Sequence, residues 1–146
     1  DGEALKRFCD SLEQGKADEV ERQLISYFEK TISIRDTFAR KPTKENFYHG
    51  ILLGILGFKA GWTVTSNREA GDGFSDIMIR TEDMKKGIII EIKYTEANME
   101  EVCQKALRQI EEKNYAEELR REGVHTILKY GIACNRKNCR VRLRSE

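Results

Sequence analysis

One short run constrains this chain more than any other. In Gly87-Ile-Ile-Ile-Glu-Ile-Lys-Tyr94, β-branched residues dominate and Glu91 and Lys93 interrupt them. β-Branched side chains pack well on a pleated sheet, and a run that is largely apolar on both faces belongs at or near the centre of a sheet. Alternate side chains of a strand share a face, so Glu91 and Lys93 project together while Ile88, Ile90 and Ile92 point the other way. On a half-buried face these charges need partners, because an unpaired buried charge is costly. Asp76, fifteen residues before Glu91 and on the strand expected beside this one, can supply a second carboxylate.

The remaining pattern makes this strand the third. Leu5, Phe8 and Leu12, then Val20, Leu24 and Phe28, have helical spacing and are separated by Gly15, which predicts two short helices. Residues 31–39 are expected to form an irregular connection, closed by Pro42. Thr43 then caps a helix with Glu45 in its first turn and Phe47, Ile51, Leu52, Ile55, Leu56 and Phe58 on a broad buried face, ended by Gly57 and Gly61. Residues 62–66 alternate as a strand should, Gly71-Asp-Gly73 marks a turn, and residues 74–80 return as the other half of a hairpin.

Beyond the isoleucine run, residues 97–121 carry Val102, Ala106, Ile110 and Leu119 among many charges, predicting one long helix ended by Gly123. Residues 125–134 and 139–144 are short strand patterns joined by the turn-like Asn135-Arg-Lys-Asn138. The fold class is therefore α/β: a helical extension over residues 1–40, then a core over residues 41–146 with a mixed sheet of about five strands flanked by helices.

Lys and Arg total 26 against 25 acidic residues, so the net charge of +1 gives no global attraction for a polyanion and any nucleic-acid contact must be local. No apolar run approaches the roughly 20 residues that span a bilayer, and no signal-peptide pattern opens the chain, so no membrane partner is expected. Asp1, with no initiating Met, reads as the start of a piece cut or trimmed from something longer. Four cysteines, Cys9, Cys103, Cys134 and Cys139, are few for this length and read as reduced thiols in the cytoplasm. His125, Cys134 and Cys139 lack the paired spacings of a zinc site, and neither a nucleophile–base pattern nor a phosphate-cradling Gly-rich loop is present. His49 reads as a satisfied interior or interface histidine. The stretch from Lys129 to Glu146 holds six basic residues and one acidic, a pattern suited to a phosphate backbone or to a solvated sheet edge that resists aggregation.

Asp76 and Glu91, with the main-chain carbonyl at Ile92, are hard oxygen ligands that suit Mg²⁺ or Mn²⁺ rather than zinc. Such an ion could bind a phosphate oxygen and the attacking water, lowering the pKa of the water and balancing charge in the transition state. Lys93 would orient that water or offset the developing charge. The Glu-x-Lys spacing alone is common on solvated strand faces; Asp76 and the helix that follows add weight.

Together these features resemble the PD-(D/E)XK nuclease superfamily, whose restriction-endonuclease-like core runs helix, three-stranded meander, helix, two further strands. The matching residues are Ser75-Asp76, fourteen residues, then Glu91-Ile92-Lys93. Within the superfamily the chain looks most like the bacterial domain often found C-terminal to an AAA-ATPase-like region, through Glu45-Asn-Phe-Tyr-His-Gly-Ile-Leu-Leu and Ala106-Leu-Arg-Gln109-Ile-Glu-Glu-Lys-Asn-Tyr115. The resemblance covers about residues 20–144. It implies metal-dependent phosphodiester hydrolysis, with DNA as the expected partner, Asp76 and Glu91 as metal ligands and Lys93 as the catalytic lysine. Glu45 would complete the metal shell or hold a water, and Gln109 and Tyr115 would lie over the active face for phosphate or water contacts. Glu45 is equally favoured in a first helical turn by the helix dipole, whereas Tyr115, near the helix end, is more often a core-capping aromatic. Phe74 departs from the family, which often carries a basic residue two positions before the Asp. Other readings keep the fold without turnover: a docking module for nucleic acid or protein, or an interaction appendage of a larger ATPase.

Overall fold

In the computed structural model, which describes residues 2–32, 41–68 and 75–146, the isoleucine run is the middle strand of the sheet. The elements are α1 (Gly2–Glu13), α2 (Ala17–Thr31), α3 (Lys41–Leu56), β1 (Thr63–Arg68), β2 (Ser75–Arg80), β3 (Lys86–Tyr94), α4 (Met99–Lys113), α5 (Tyr115–Arg121), β4 (Thr126–Asn135) and β5 (Asn138–Ser145). Strand order follows the chain, β1-β2-β3-β4-β5, and only the β3–β4 pairing is parallel, with α4 and α5 between them. A parallel step requires a crossover connection, which is why the helical segment falls there. The result is the mixed α/β sheet of a restriction-endonuclease-like core.

Every residue of β3 from Gly87 to Tyr94 is buried. Ile88, Ile90 and Ile92 join one core, with Ile77 and Ile79 of β2, Tyr130 and Ile132 of β4, and Phe8, Leu12, Leu24, Phe28, Tyr48 and Leu52 from α1, α2 and α3. Ile89 faces the opposite side and joins Met78, Leu107, Ile110, Leu119 and Ile127 beneath α4 and α5. The period of two along β3 thus separates two cores. Burying each large apolar side chain is worth about 1.5–3 kcal/mol, so both layers are held chiefly by this strand and its neighbours. The buried aromatic hydroxyls are paired: Tyr130 donates to the Leu12 carbonyl at 2.7 Å, and Tyr48 to that of Arg136 at 2.7 Å.

Several expectations change. The predicted helix over 97–121 is two helices, broken at Asn114, which takes the left-handed conformation at φ 59°. Asn tolerates that region because its side chain is short and polar, so it serves as a C-cap where a periodic pattern shows no interruption. α3 begins at Lys41, not after Thr43, so Pro42 sits in the first turn, where its missing N–H is harmless, and Glu45 falls in the second. Helix-dipole stabilisation, confined to the first turn, therefore does not account for Glu45. Phe58 lies beyond the end of α3 and is 59% exposed rather than on its buried face. Lys129 is not on an edge: it lies in β4, which is flanked by β3 and β5, and is buried. The connection over 33–39, the turn at Gly71 and Gly73, and Phe74 lie outside the described residues, as does the side chain of Thr43.

Candidate functional site

Antiparallel register brings the first two charges together. Asp76 of β2 lies directly opposite Glu91 of β3, one step beyond the apolar pair Met78 and Ile89 on the same face. Directly opposed side chains have Cβ atoms about 5 Å apart, close enough for two carboxylates to act on one cation. Both are fully buried, and Lys93 is 4% exposed. The Lys93 Nζ stands 3.5 Å from Glu91 Oε1. Asp76, Glu91 and Lys93 therefore form one cluster on the α4 side of the sheet.

A second ammonium enters from above. Lys113, in the last turn of α4, places its Nζ 3.2 Å from Asp76 Oδ2 and 3.6 Å from Glu91 Oε2. The two carboxylates share this one cation, and Glu91 lies between two ammonium groups. Among the described residues neither Glu91 oxygen takes part in a hydrogen bond. Lys113 was not among the expected site residues. Its signal was present in the spacing: it lies three residues after Ile110 and seven after Ala106, both buried, so a lysine falls on the stripe that faces the core.

Glu45 is buried at 2% exposure and accepts a hydrogen bond from the Tyr94 backbone N–H at 3.3 Å. It thus touches the residue that follows Lys93, from the α3 side. Beside it, Lys44 lies 4.5 Å above the Tyr94 ring and donates to the Tyr94 hydroxyl, which itself donates to Glu96 at 2.7 Å. That hydroxyl, and then the charge of Lys44, hold the Glu96 carboxyl below its usual pKa. Among the described residues no three of His, Cys, Asp and Glu gather closely enough to hold an ion, so Glu45 does not close a three-acid set with Asp76 and Glu91. Gln109 is half-buried on α4, one turn before Lys113 and on the same face. Tyr115 opens α5 and packs, partly buried, against the cluster that contains Met78 and Ile89. His49 is partly exposed, its Nε2 3.1 Å from Ser66 Oγ.

Residues 43–143 match the family model of the PD-(D/E)XK nuclease superfamily. The chain belongs to that superfamily. No curated protein and no solved structure matches it. The matched span contains Glu45, Asp76, Glu91, Lys93, Gln109, Lys113 and Tyr115, while α1 and α2 lie outside it. PD-(D/E)XK nucleases typically use divalent metal ions. The donor set here fits such an ion: two carboxylates already converge on one cation, and among the described residues no hydrogen-bond donor occupies the two buried Glu91 oxygens.

Proposed function

We propose that this chain hydrolyses phosphodiester bonds in nucleic acid, DNA in the first instance, using Mg²⁺ or Mn²⁺ at Asp76 and Glu91. The observation that carries the proposal is the sharing of one cation by two fully buried carboxylates from neighbouring strands, with Lys93 in ion-pair contact with one of them. Asp76, Glu91 and the Ile92 main-chain carbonyl would hold the ion, with Glu45 holding a water beside it. When bound, the ion supplies Lewis-acid chemistry, lowering the pKa of a water and offsetting phosphate charge in the transition state. Lys93 keeps its proton and acts as a donor: its ammonium orients the attacking water and stabilises the negative charge that develops on the phosphate oxygens. Gln109 and Tyr115 contact phosphate or water from the helical side. Purified protein supplied with Mg²⁺ or Mn²⁺ and with plasmid, single-stranded DNA or RNA provides the test. Removing one electrostatic stabiliser typically lowers the rate by ~10²–10³-fold, and at least that loss is expected for Glu91→Gln and Lys93→Ala. A rate unchanged by both substitutions overturns catalysis at this site.

A second reading, a module of the same fold that binds nucleic acid or protein without turnover, draws support from the pairing of two ammonium groups with two carboxylates, which balances the cluster without a metal. Calorimetry with Mg²⁺ separates the two, since a silent module takes up no metal in an Asp76-dependent manner. We further propose that residues 1–40 are an extension completing the core of residues 41–146, that the protein is cytoplasmic and bacterial, and that it works with an AAA-ATPase-like region. No helix among the described residues is long and apolar enough to cross a membrane.

A further inference from the structure

We propose that Lys113 is a tethered stand-in cation: it clamps Asp76 and Glu91 while the site is free of metal, and a divalent ion must displace it. This rests on the metal-site proposal for the same carboxylates. Two like charges on opposed strands repel, and in a fully buried setting that repulsion is large unless a cation lies between them. Lys113 supplies that cation, at 3.2 Å from Asp76 and 3.6 Å from Glu91. Lys93, with its Nζ 3.5 Å from Glu91 Oε1, is the second ammonium of the cluster.

The two lysines also differ in freedom. The Lys93 side chain is 5% exposed and rises from the central strand, whereas that of Lys113 is 18% exposed and rises from the end of a helix. A lysine stem is flexible, and a head group near solvent can swing outward and regain its hydration. Lys113 is therefore the member of the cluster that can leave without unpacking the sheet. Displacement exchanges a singly charged group for a doubly charged ion between the two carboxylates, which raises the net charge of the cluster by one and so favours an anionic phosphate at the site. Once outside, Lys113 remains one turn from Gln109, on the helix face that lies over the site, where an ammonium suits a phosphate.

Two measurements test this. In calorimetric titrations with Mn²⁺, Lys113→Met and Lys113→Gln remove the competitor and are expected to bind about tenfold more tightly than the parent chain, the size of an ordinary coupling between two ligands of one site. Without metal both variants should melt at a lower temperature than the parent, and Mn²⁺ should raise their melting points more than it raises the parent's. In the unmodified chain, reductive methylation read peptide by peptide should label Lys113 several-fold faster in saturating Mn²⁺ than without it, while exposed Lys105 is unchanged. Mn²⁺ bound by the parent with unchanged Lys113 labelling, or bound no more tightly by the variants, overturns the clamp and leaves the metal site standing. Absence of Mn²⁺ uptake by parent and variants alike overturns both.

Discussion

Gly131 lies beside Glu91 in the parallel register of β3 and β4, and the absence of a side chain there lets α4 settle directly over the acidic pair. A Cβ at 131 would come within 2.4 Å of the Cys103 carbonyl oxygen and 3.0 Å of the Leu107 side chain. The height of α4 above the sheet is therefore set at Glu91, and with it the reach of Lys113.

Gly131→Ala should accordingly lift or tilt α4. The nearest obstacle is helix backbone, which cannot turn aside as a side-chain tip would, and overpacking of this kind costs typically ~1–3 kcal/mol. The expected result is a lower melting temperature together with altered Mn²⁺ affinity, because Lys113 moves with its helix. A variant that matches the parent in both measurements would show that the close approach does not set the site.

Glu45 separates two roles by its choice of replacement. Ala leaves the buried Tyr94 N–H without its acceptor, a loss of about 1–3 kcal/mol that should appear in thermal unfolding. Gln keeps an oxygen at that place and should leave stability nearly unchanged, while removing the charge that a metal shell or its water would use. Weaker Mn²⁺ binding in Glu45→Gln at unaltered melting temperature is the expected outcome; equal binding would confine Glu45 to holding the end of β3.

Much of this was legible in the chain because periodicity of two leaves a direct mark. The alternation in residues 88–93 fixed which side chains share a face, and Asp76 followed from the hairpin register. What escaped notice depended on single residues acting against a pattern. Asn114 adopts a left-handed conformation with nothing around it to signal a break, so one helix was expected where two occur. Lys113 is one of many charges on its helix and Lys129 opens a basic stretch, yet each stands among carboxylates contributed by other elements. Pairing across distant segments is a property of tertiary packing, and a local pattern does not encode it.

Lys129 shows how unequal the partners of a buried ion pair can be. Its side chain is 2% exposed, whereas Glu111 is 45% exposed and Glu146, its other partner, 37%. Lys129→Met removes the member that suffers desolvation and leaves two acids that water can serve, so stability should be unchanged or higher, by up to ~1–4 kcal/mol. Replacing Glu111 and Glu146 together with Gln leaves an unpaired buried ammonium and should cost about 3–5 kcal/mol. Chemical denaturation of both variants tests the asymmetry, and the reverse order of stabilities would contradict it.

The four cysteines are free and buried, and burial governs their acid–base behaviour. It pushes the Cys103 thiol from an ordinary 9.0 up to about 11 and does the same to Cys9, while Cys134 and Cys139 also rise. The thiolate is the reactive form, so alkylation of the native protein at pH 8 should be slow at all four, becoming fast only in denaturant. Stability follows with a definite sign. Below pH 9 folded and unfolded chains both hold the thiol proton; above it the unfolded chain releases protons that the folded chain keeps, which favours unfolding. The contribution of Cys103 is thus full below 9.0 and is lost as pH rises through about 11. Melting temperatures measured from pH 8 to 11 should fall, and less steeply in Cys103→Ala, where one of the releasing groups is gone; equal slopes in parent and variant would remove Cys103 from the alkaline transition.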